Sequence, residues 1–184
     1  MNKNDIGMMI TLLKSDKVLA LPTESVYGLS VRLESQAVAK IVTLKKRSAN
    51  KGFIVLSSKI EHLLHVTDVK HLNNEDLARL RGKKVRATTW IVPVNPEFQW
   101  ITGSFDTIAV RLTTHPLLSL LTQSLNQAII STSANISGHP PATSASEVYN
   151  YFGENVDYIY PNNDFIAKKP SRLVNLITGE ILRN

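Results

Sequence analysis

The chain has 184 residues, a net charge of +6 and no cysteine, which excludes disulfides and thiolate metal sites. Its 43% hydrophobic content fits a folded globular protein, and its length leads us to expect one domain over 1–184 with a substantial core. Ile6, Met9, Ile10 and Leu13 form an amphipathic helical stripe that is too short and too interrupted by charge for a signal peptide or a membrane span. A cytoplasmic protein with no membrane partner is the resulting expectation.

Val18 to Leu21 reads as a buried strand stopped by Pro22. Thr23-Glu24-Ser25 forms a polar elbow before Val26-Tyr27-Gly28-Leu29. Such hydroxyls suit either a ligand crevice at a strand end or an ordinary turn. A helix is expected from about Gln36 to Lys45, because Val38, Ile41, Val42 and Lys45 share one face. That spacing turns Lys45 inward at the last helical turn, just before Lys46, Arg47 and Lys51. Two readings stand for this cationic turn: an anion site, or cations favoured by the helix C-terminus. A Lys45 that faced an empty anion site would contribute little to the stability of the unliganded protein.

The strand Phe53–Leu56 follows, and residues 60–81 look helical and polar, with His62, His65 and His71 read as surface residues. Thr88–Val92 is a strand ended by Pro93, and 95–106 is a loop carrying Trp100 and Gly103. In Thr107–Leu112, Ile108, Val110 and Leu112 take one face and Thr107, Ala109 and Arg111 the other. An arginine on the second face of an internal strand requires a partner if it is buried. Pro116 opens a leucine-rich helix to about Leu125, with Thr114 as its expected cap. Ala128-Ile129-Ile130 leads into Ser131-Thr132-Ser133-Ala134-Asn135, a second stretch dense in hydroxyl and amide groups. Ser144-x-x-Glu147 has the form of a capping box, and Leu173 to Leu182 that of a hairpin. Strands alternating with helices imply a mixed α/β sheet.

The charge is unevenly spread. No carboxylate lies between Glu34 and Glu61, where Lys40, Lys45, Lys46, Arg47, Lys51 and Lys59 occur. None lies between Asp76 and Glu97, where Arg79, Arg81, Lys83, Lys84 and Arg86 occur. Such blocks attract polyanions, whether nucleotides or an RNA backbone, or else form a solvated surface. The chain has no P-loop, no glycine-rich dinucleotide fingerprint, no paired-histidine metal motif and no Gly-x-Ser-x-Gly elbow. The remaining inventory of cations and hydroxyls suits phosphoryl or nucleotidyl chemistry, in which a protein chiefly positions groups and neutralises charge.

Pro22-Thr23-Glu24-Ser25-Val26-Tyr27-Gly28-Leu29, Lys45-x-Arg47, Ala109-Val110-Arg111 with His115-Pro116, Ser133-Ala134-Asn135-x-Ser137-Gly138, and Pro170-Ser171 before the hairpin together resemble the YrdC family. The resemblance covers about residues 8 to 183, in the single-domain bacterial form. It implies a twisted open mixed α/β sheet flanked by helices around a basic cavity. It also implies threonylcarbamoyl-AMP synthase activity: L-threonine, bicarbonate and ATP, with Mg²⁺ on the triphosphate, give threonylcarbamoyl-adenylate and pyrophosphate. Partner proteins would then transfer the threonylcarbamoyl group to tRNA beside the anticodon. By the same resemblance Lys45, Arg47, Thr89, Ser133 and Asn135 would contact ATP, and Thr23, Tyr27, Arg111 and Ser131 would surround threonine and the carbamate. The chain departs from the family pattern at Ser48, at Leu56-Ser57 where many members carry histidine, and at Val85-Arg86-Ala87. Glu24 is read as capping a neighbouring backbone group rather than as a base.

Two other readings compete. One is a non-catalytic module that binds double-stranded RNA or tRNA through its basic surface, and RNA is a partner that the synthase reading also admits. The other is the carbamoyl-transfer domain of hydrogenase maturation proteins, whose acylphosphatase and zinc-binding regions have no counterpart in this sequence.

Overall fold

The structure, a computed structural model, describes residues 3–46, 52–82, 84–162 and 169–184. Arg47, Lys51 and Lys83 of the basic blocks lie outside the described residues. Helix α1 (Lys3–Lys14) buries Met9 and Leu13 fully, as its stripe requires. Strand β1 (Leu19–Pro22) is buried throughout and pairs antiparallel with β2 (Tyr27–Arg32). Helix α2 (Ser35–Lys45) turns Ala37, Val38, Ile41 and Lys45 inward and ends at Lys46 in the left-handed region. Strand β3 (Ile54–Ser57) starts one residue later than its apolar run, because the Phe53 N–H is given to the carbonyl of Ile101.

Residues 60–81 are not one helical stretch. Helix α3 is Ile60–His65 and α4 is Asn74–Arg81, separated by a bridge from Thr67 to Val94 and a single 3-10 turn. The break has a local cause. Asp68 accepts from the Lys70 N–H, and Asn73 forms a reciprocal capping box with Asp76, so each opens a new helical segment. After β4 (Thr88–Pro93), the expected loop 95–106 contains a 3-10 turn and the one-turn helix α5 (Gln99–Thr102). Strand β5 (Thr107–Leu112) leads to α6 (Pro116–Leu125) and β6 (Ile129–Ser133). Thr114 is not the side-chain cap of α6; Glu24 instead accepts from the N–H groups of Thr114 and His115 just ahead of it. At α7 (Ala145–Phe152) only half of the expected box forms. Ser144 accepts from the Glu147 N–H, while the Glu147 carboxylate reaches past it to Thr143. Strands β7 (Tyr158–Ile159), β8 (Arg172–Asn175) and β9 (Ile181–Arg183) complete the described elements, with Gly179 at φ 74° turning the terminal hairpin.

The strands form one mixed sheet in the order β7-β1-β2-β6-β3-β5-β4-β8-β9. One face carries Ala20, Leu29, Val31, Val55, Ile108, Val110, Ile130 and Val174, packed with α2, α3, α4 and α7 through Val38, Ile41, Leu63, Leu80, Val148 and Phe152. The other face is divided. At one end Leu19, Leu21, Leu56 and Ile129 meet Met9 and Leu13 of α1 and Leu117, Leu118 and Leu121 of α6. Those two helices pack on each other and leave the rest of this face open as a cavity. No helix among the described residues is long and apolar enough to cross a membrane.

One end of β1 is secured by Asp157, which accepts the Val18 N–H at 2.8 Å and pairs with Lys17 at 2.9 Å. Burial alone would raise the Asp157 pKa, but the Val18 N–H and the Lys17 ammonium outweigh it and hold the carboxyl below its ordinary value. A depressed folded-state pKa adds stability that is complete above the unfolded-state value and is lost as pH falls through the folded one. Asp157→Ala is therefore expected to lower the melting temperature at neutral pH. The gap to wild type should shrink on acidification below about pH 4, which thermal melts across a pH series would show.

Candidate active site

The open part of the divided face encloses a cavity of about 580 Å³, within the range of small-molecule sites. Its floor follows from strand alternation. Thr107, Ala109 and Arg111 all line it, while Ile108 and Val110 enter the core behind. Ser131 and Ser133 of β6 and Ile54 of β3 stand beside them, in the register Ile54 to Ser131 and Ile54 to Ala109. The charged residues among the described lining are Arg111 and Arg183, and no Asp or Glu is among them.

Arg111 is 6% exposed and well engaged. Its Nε donates to Thr89 Oγ1 at 3.0 Å and its Nη2 to Ser171 Oγ at 2.8 Å, and those two hydroxyls lie 2.8 Å apart. Arg183 reaches the same serine, donating to the Ser171 carbonyl at 3.0 Å through Nη2. Burial pushes the Arg111 pKa down, Glu24 restores part of the loss, and the nearby Arg183 charge lowers it further. Arginine remains protonated under such pressure, so the cavity keeps two guanidinium charges close together. Burial and the charge of Arg86 act on Arg183 in the same downward sense.

Glu24 stands behind the wall. Its Oε1 accepts from the Thr113 hydroxyl and from the N–H groups of Thr114 at 2.7 Å and His115 at 2.9 Å. Burial would raise its pKa, but the Thr113 hydroxyl, Arg111 and backbone N–H groups together pull it below the ordinary carboxylate value. Glu24 is thus an anion at the N-terminus of α6, and the backbone groups it receives are those of Thr114 and His115, not a neighbour in the elbow as expected from sequence.

The Thr23 hydroxyl is spent on the elbow, donating to the Val26 carbonyl at 2.8 Å and accepting from the Ser25 N–H at 3.0 Å. Tyr27 is fully buried, and its hydroxyl donates toward the carbonyls of Tyr160 at 2.9 Å and Asn162 at 3.1 Å. Burial and the neighbouring Tyr160 push its pKa up to about 12, so it stays a neutral donor.

Lys45, Thr89 and Asn135 are buried behind the cavity wall. Lys45 is 2% exposed, as its inward helical position requires. Its ammonium donates to the carbonyls of Ser133 and Asn135, the latter at 2.8 Å, and to Asn135 Oδ1 at 3.2 Å. Asn135 Oδ1 also accepts from Ser133 Oγ at 2.6 Å, and its amide donates to the carbonyls of Ile136 and His139. An ammonium has three donors, and among the described residues these three acceptors receive them. The expectation that Lys45 adds little to unliganded stability therefore gives way, because its removal would leave buried carbonyls unmet.

Sequence reasoning did not place Arg183 or Thr113 in the site, and it left Ser171 without a role. Arg183 sits on a three-residue strand whose alternation is too brief to read. The Ser171 hydroxyl matters through side chains 60 and 12 residues away in sequence. In the second basic block, Arg79 pairs with Glu75 and donates to the Leu176 carbonyl, and Arg86 donates to Asn184 and the Pro170 carbonyl, so both hold local structure. The histidines meet local partners. His62 lies 2.9 Å from Ser57 Oγ, His71 3.1 Å from Asp68, and His65 packs edge-on against Phe98.

The sequence and the fold were compared with known proteins. The Sua5/YciO/YrdC family model, described as telomere recombination, matches residues 11–184. A threonylcarbamoyl-AMP synthase of Haemophilus influenzae is 38% identical over 189 residues, spanning 100% of this chain and 99% of that protein. The protein of the same name from Actinobacillus succinogenes is 39% identical over 178 residues, spanning 93% of this chain and 94% of that one. P. abyssi Sua5 complexed with L-threonine superposes with a TM-score of 0.88 and 28% identity over all of this chain and 54% of its own. This chain thus spans about half of that larger protein. E. coli YciO shares the fold at a TM-score of 0.85 and 19% identity, over 100% of this chain and 90% of that one. HypF in a phosphate- and nucleotide-bound form shares it at 0.78 and 23% identity, with 92% of this chain matching 27% of that one. A family match over nearly the whole length, with full-length relatives near 38% identity, makes this chain a member of the Sua5/YciO/YrdC family.

Proposed function

We propose that the chain is a threonylcarbamoyl-AMP synthase, which condenses L-threonine, bicarbonate and ATP to threonylcarbamoyl-adenylate and pyrophosphate. The observation that carries this reading is the pair Arg111 and Arg183, converging on Ser171 in a cavity with no carboxylate among its described lining. The reaction asks for that arrangement. Threonine amine and bicarbonate form a carbamate, whose oxygen attacks the α-phosphorus of ATP and displaces pyrophosphate. Two anions must be held together while their repulsion is offset, and no protein nucleophile is needed. The full-length likeness to proteins named for this activity supports the same reading.

Within the cavity we assign Arg111 and Ser131 to the threonine carboxylate and carbamate. Thr23 and Tyr27 shape that end, Thr23 by closing the elbow and Tyr27 by tying the wall to 160–162. Ser133, with Asn135 and Lys45 behind it, forms the phosphate end, Lys45 holding the Ser133–Asn135 turn and adding positive charge; Arg47, outside the described residues, is assigned to the phosphates on the family resemblance alone. Thr89 contributes through Arg111, whose Nε it accepts. No group of three or more metal-ligating side chains occurs among the described residues, so Mg²⁺ is assigned to the substrate, entering on the triphosphate and sharing the neutralisation. The adenylate would pass to partner proteins that modify tRNA, and a cytoplasmic location fits that role.

Pyrophosphate release from ATP, measured with and without threonine and bicarbonate, tests the whole reading. Release should require both, and ATP turnover indifferent to threonine would rule the synthase out. Arg111→Lys is expected to raise the KM for threonine at least tenfold more than the KM for ATP, because a point charge cannot fork across a carboxylate. Equal increases would move Arg111 to the phosphate end. Lys45→Ala is expected to weaken ATP binding and also to lower the melting temperature, by about 1–3 kcal/mol of stability through the unmet carbonyls. Unchanged ATP affinity alongside lost stability would make Lys45 a structural staple and remove it from the phosphate end. Calorimetric titration and thermal melts of the one variant separate the outcomes.

A further inference from the structure

Gly28 and Ser30 flank Ser131 on the cavity face, and neither belongs to the machinery assigned above. Gly28 lies within β2 and is not among the glycines of positive φ, so the backbone there does not require glycine. Space does. A Cβ at Gly28 would sit 2.3 Å from Ser131 Oγ, whereas the next nearest atoms, the Thr132 carbonyl oxygen and Thr23 Cγ2, would lie at 3.4 and 3.5 Å. The severe obstacle to a side chain at residue 28 is therefore one hydroxyl. A strand glycine of this kind marks a place where another group must come close.

The pairing register explains the approach. Ser30 is opposite Ser131, and Gly28 is opposite Ser133. The Ser131 hydroxyl occupies space that the side chain of residue 28 would otherwise fill. From its own row, the fully buried Ser30 Oγ donates to Ser131 Oγ at 3.2 Å. A hydroxyl has one proton and two lone pairs, so accepting from Ser30 leaves the Ser131 proton free for an acceptor in the cavity.

We propose that Gly28 and Ser30 are positioning residues that aim Ser131 as a proton donor at an anionic oxygen of the amino-acid substrate, Gly28 by vacating space and Ser30 by occupying a lone pair. The inference rests on the assignment of Ser131 to the threonine and carbamate end. It makes the donor at this point dependent on an absence of atoms at residue 28.

A double-mutant cycle read in threonine KM at saturating ATP, with melting temperatures alongside, tests it. Ser131→Ala is expected to raise the threonine KM about tenfold or more, the effect of losing a hydrogen bond to a charged group. Gly28→Ala should raise it similarly and lower the melting temperature. In Gly28→Ala/Ser131→Ala the KM should be no worse than in Ser131→Ala, and the melting temperature should recover, because the clashing oxygen is gone. Ser30→Ala should raise the threonine KM by a smaller factor and leave the ATP KM unchanged. If Gly28→Ala cannot be purified folded but the double variant can, the proposal is equally supported. Multiplying effects in the double variant, a wild-type threonine KM in Gly28→Ala or in Ser30→Ala, or failure of both Gly28 variants to fold would overturn it. A wild-type KM in Ser131→Ala would locate the error one step earlier, in the assignment of Ser131, and the positioning role would fall with it.

Discussion

The structure depends on keeping the Arg111 guanidinium charged and buried where a substrate can reach it. An unpaired buried cation is costly, so the surrounding chain is arranged to compensate it without neutralising it. Thr89 and Ser171 receive its N–H groups, and Glu24 supplies opposite charge from behind the wall rather than by direct pairing. A carboxylate placed in the cavity itself would have occupied the guanidinium and competed with anionic substrates. Set one layer back, the same carboxylate also receives the N–H groups of Thr114 and His115 just ahead of α6, so one residue of the elbow serves both the charge balance and the entry into that helix.

The cavity exists because one sheet face is only partly covered. Helices α1 and α6 are ten to twelve residues long and fill the end where Leu19, Leu21, Leu56 and Ile129 project. Beyond that end, on β2, β6 and β5, the residues on this face are Gly28, Ser131, Ser133, Ala109 and Arg111, which are small or polar. Within β6 the change from Ile129, under the helices, to Ser131 and Ser133, in the cavity, marks where helix packing stops and substrate space begins. The opposite face shows no such change, and its continuous apolar layer gives the cavity a rigid floor.

Much of this was legible in the sequence. The inward turn of Lys45 followed from i, i+3, i+4, i+7 spacing, and the place of Arg111 on the face opposite Ile108 and Val110 from alternation in Thr107–Leu112, while the family resemblance pointed that face to the cavity. The family motifs supplied the other residues expected at the site and the sense of the reaction, but not Arg183, Thr113 or the role of Ser171. Features that depend on distant partners stayed hidden. Glu24 replaces Thr114 at the head of α6 because its backbone partners lie about ninety residues away, a relation that no local pattern encodes. Thr23 shows the reverse case: a hydroxyl that motif matching marks for substrate is fully used by its own turn. The division of 60–81 into two helices was readable in principle from Asp68 and Asn73, both strong cap formers, but a polar stretch without a clear apolar face did not call attention to them.

The strand order has a consequence for how the chain reaches this state. Strand β6 lies between β2 and β3, joining the β1–β2 hairpin to the β3–β5–β4 group. Its residues, Ile129–Ser133, follow those partners by seventy to one hundred positions, so the two halves of the sheet cannot be united until most of the chain has been synthesised. Until then the inner edges of β2 and β3 expose unpaired N–H and carbonyl groups, templates for pairing with another chain. Closing such long loops before their contacts are rewarded places the domain among slow, non-local folders. The strand that brings Ser131 and Ser133 to the cavity is therefore also the one that joins the two halves of the sheet, and the site is complete only once they are united.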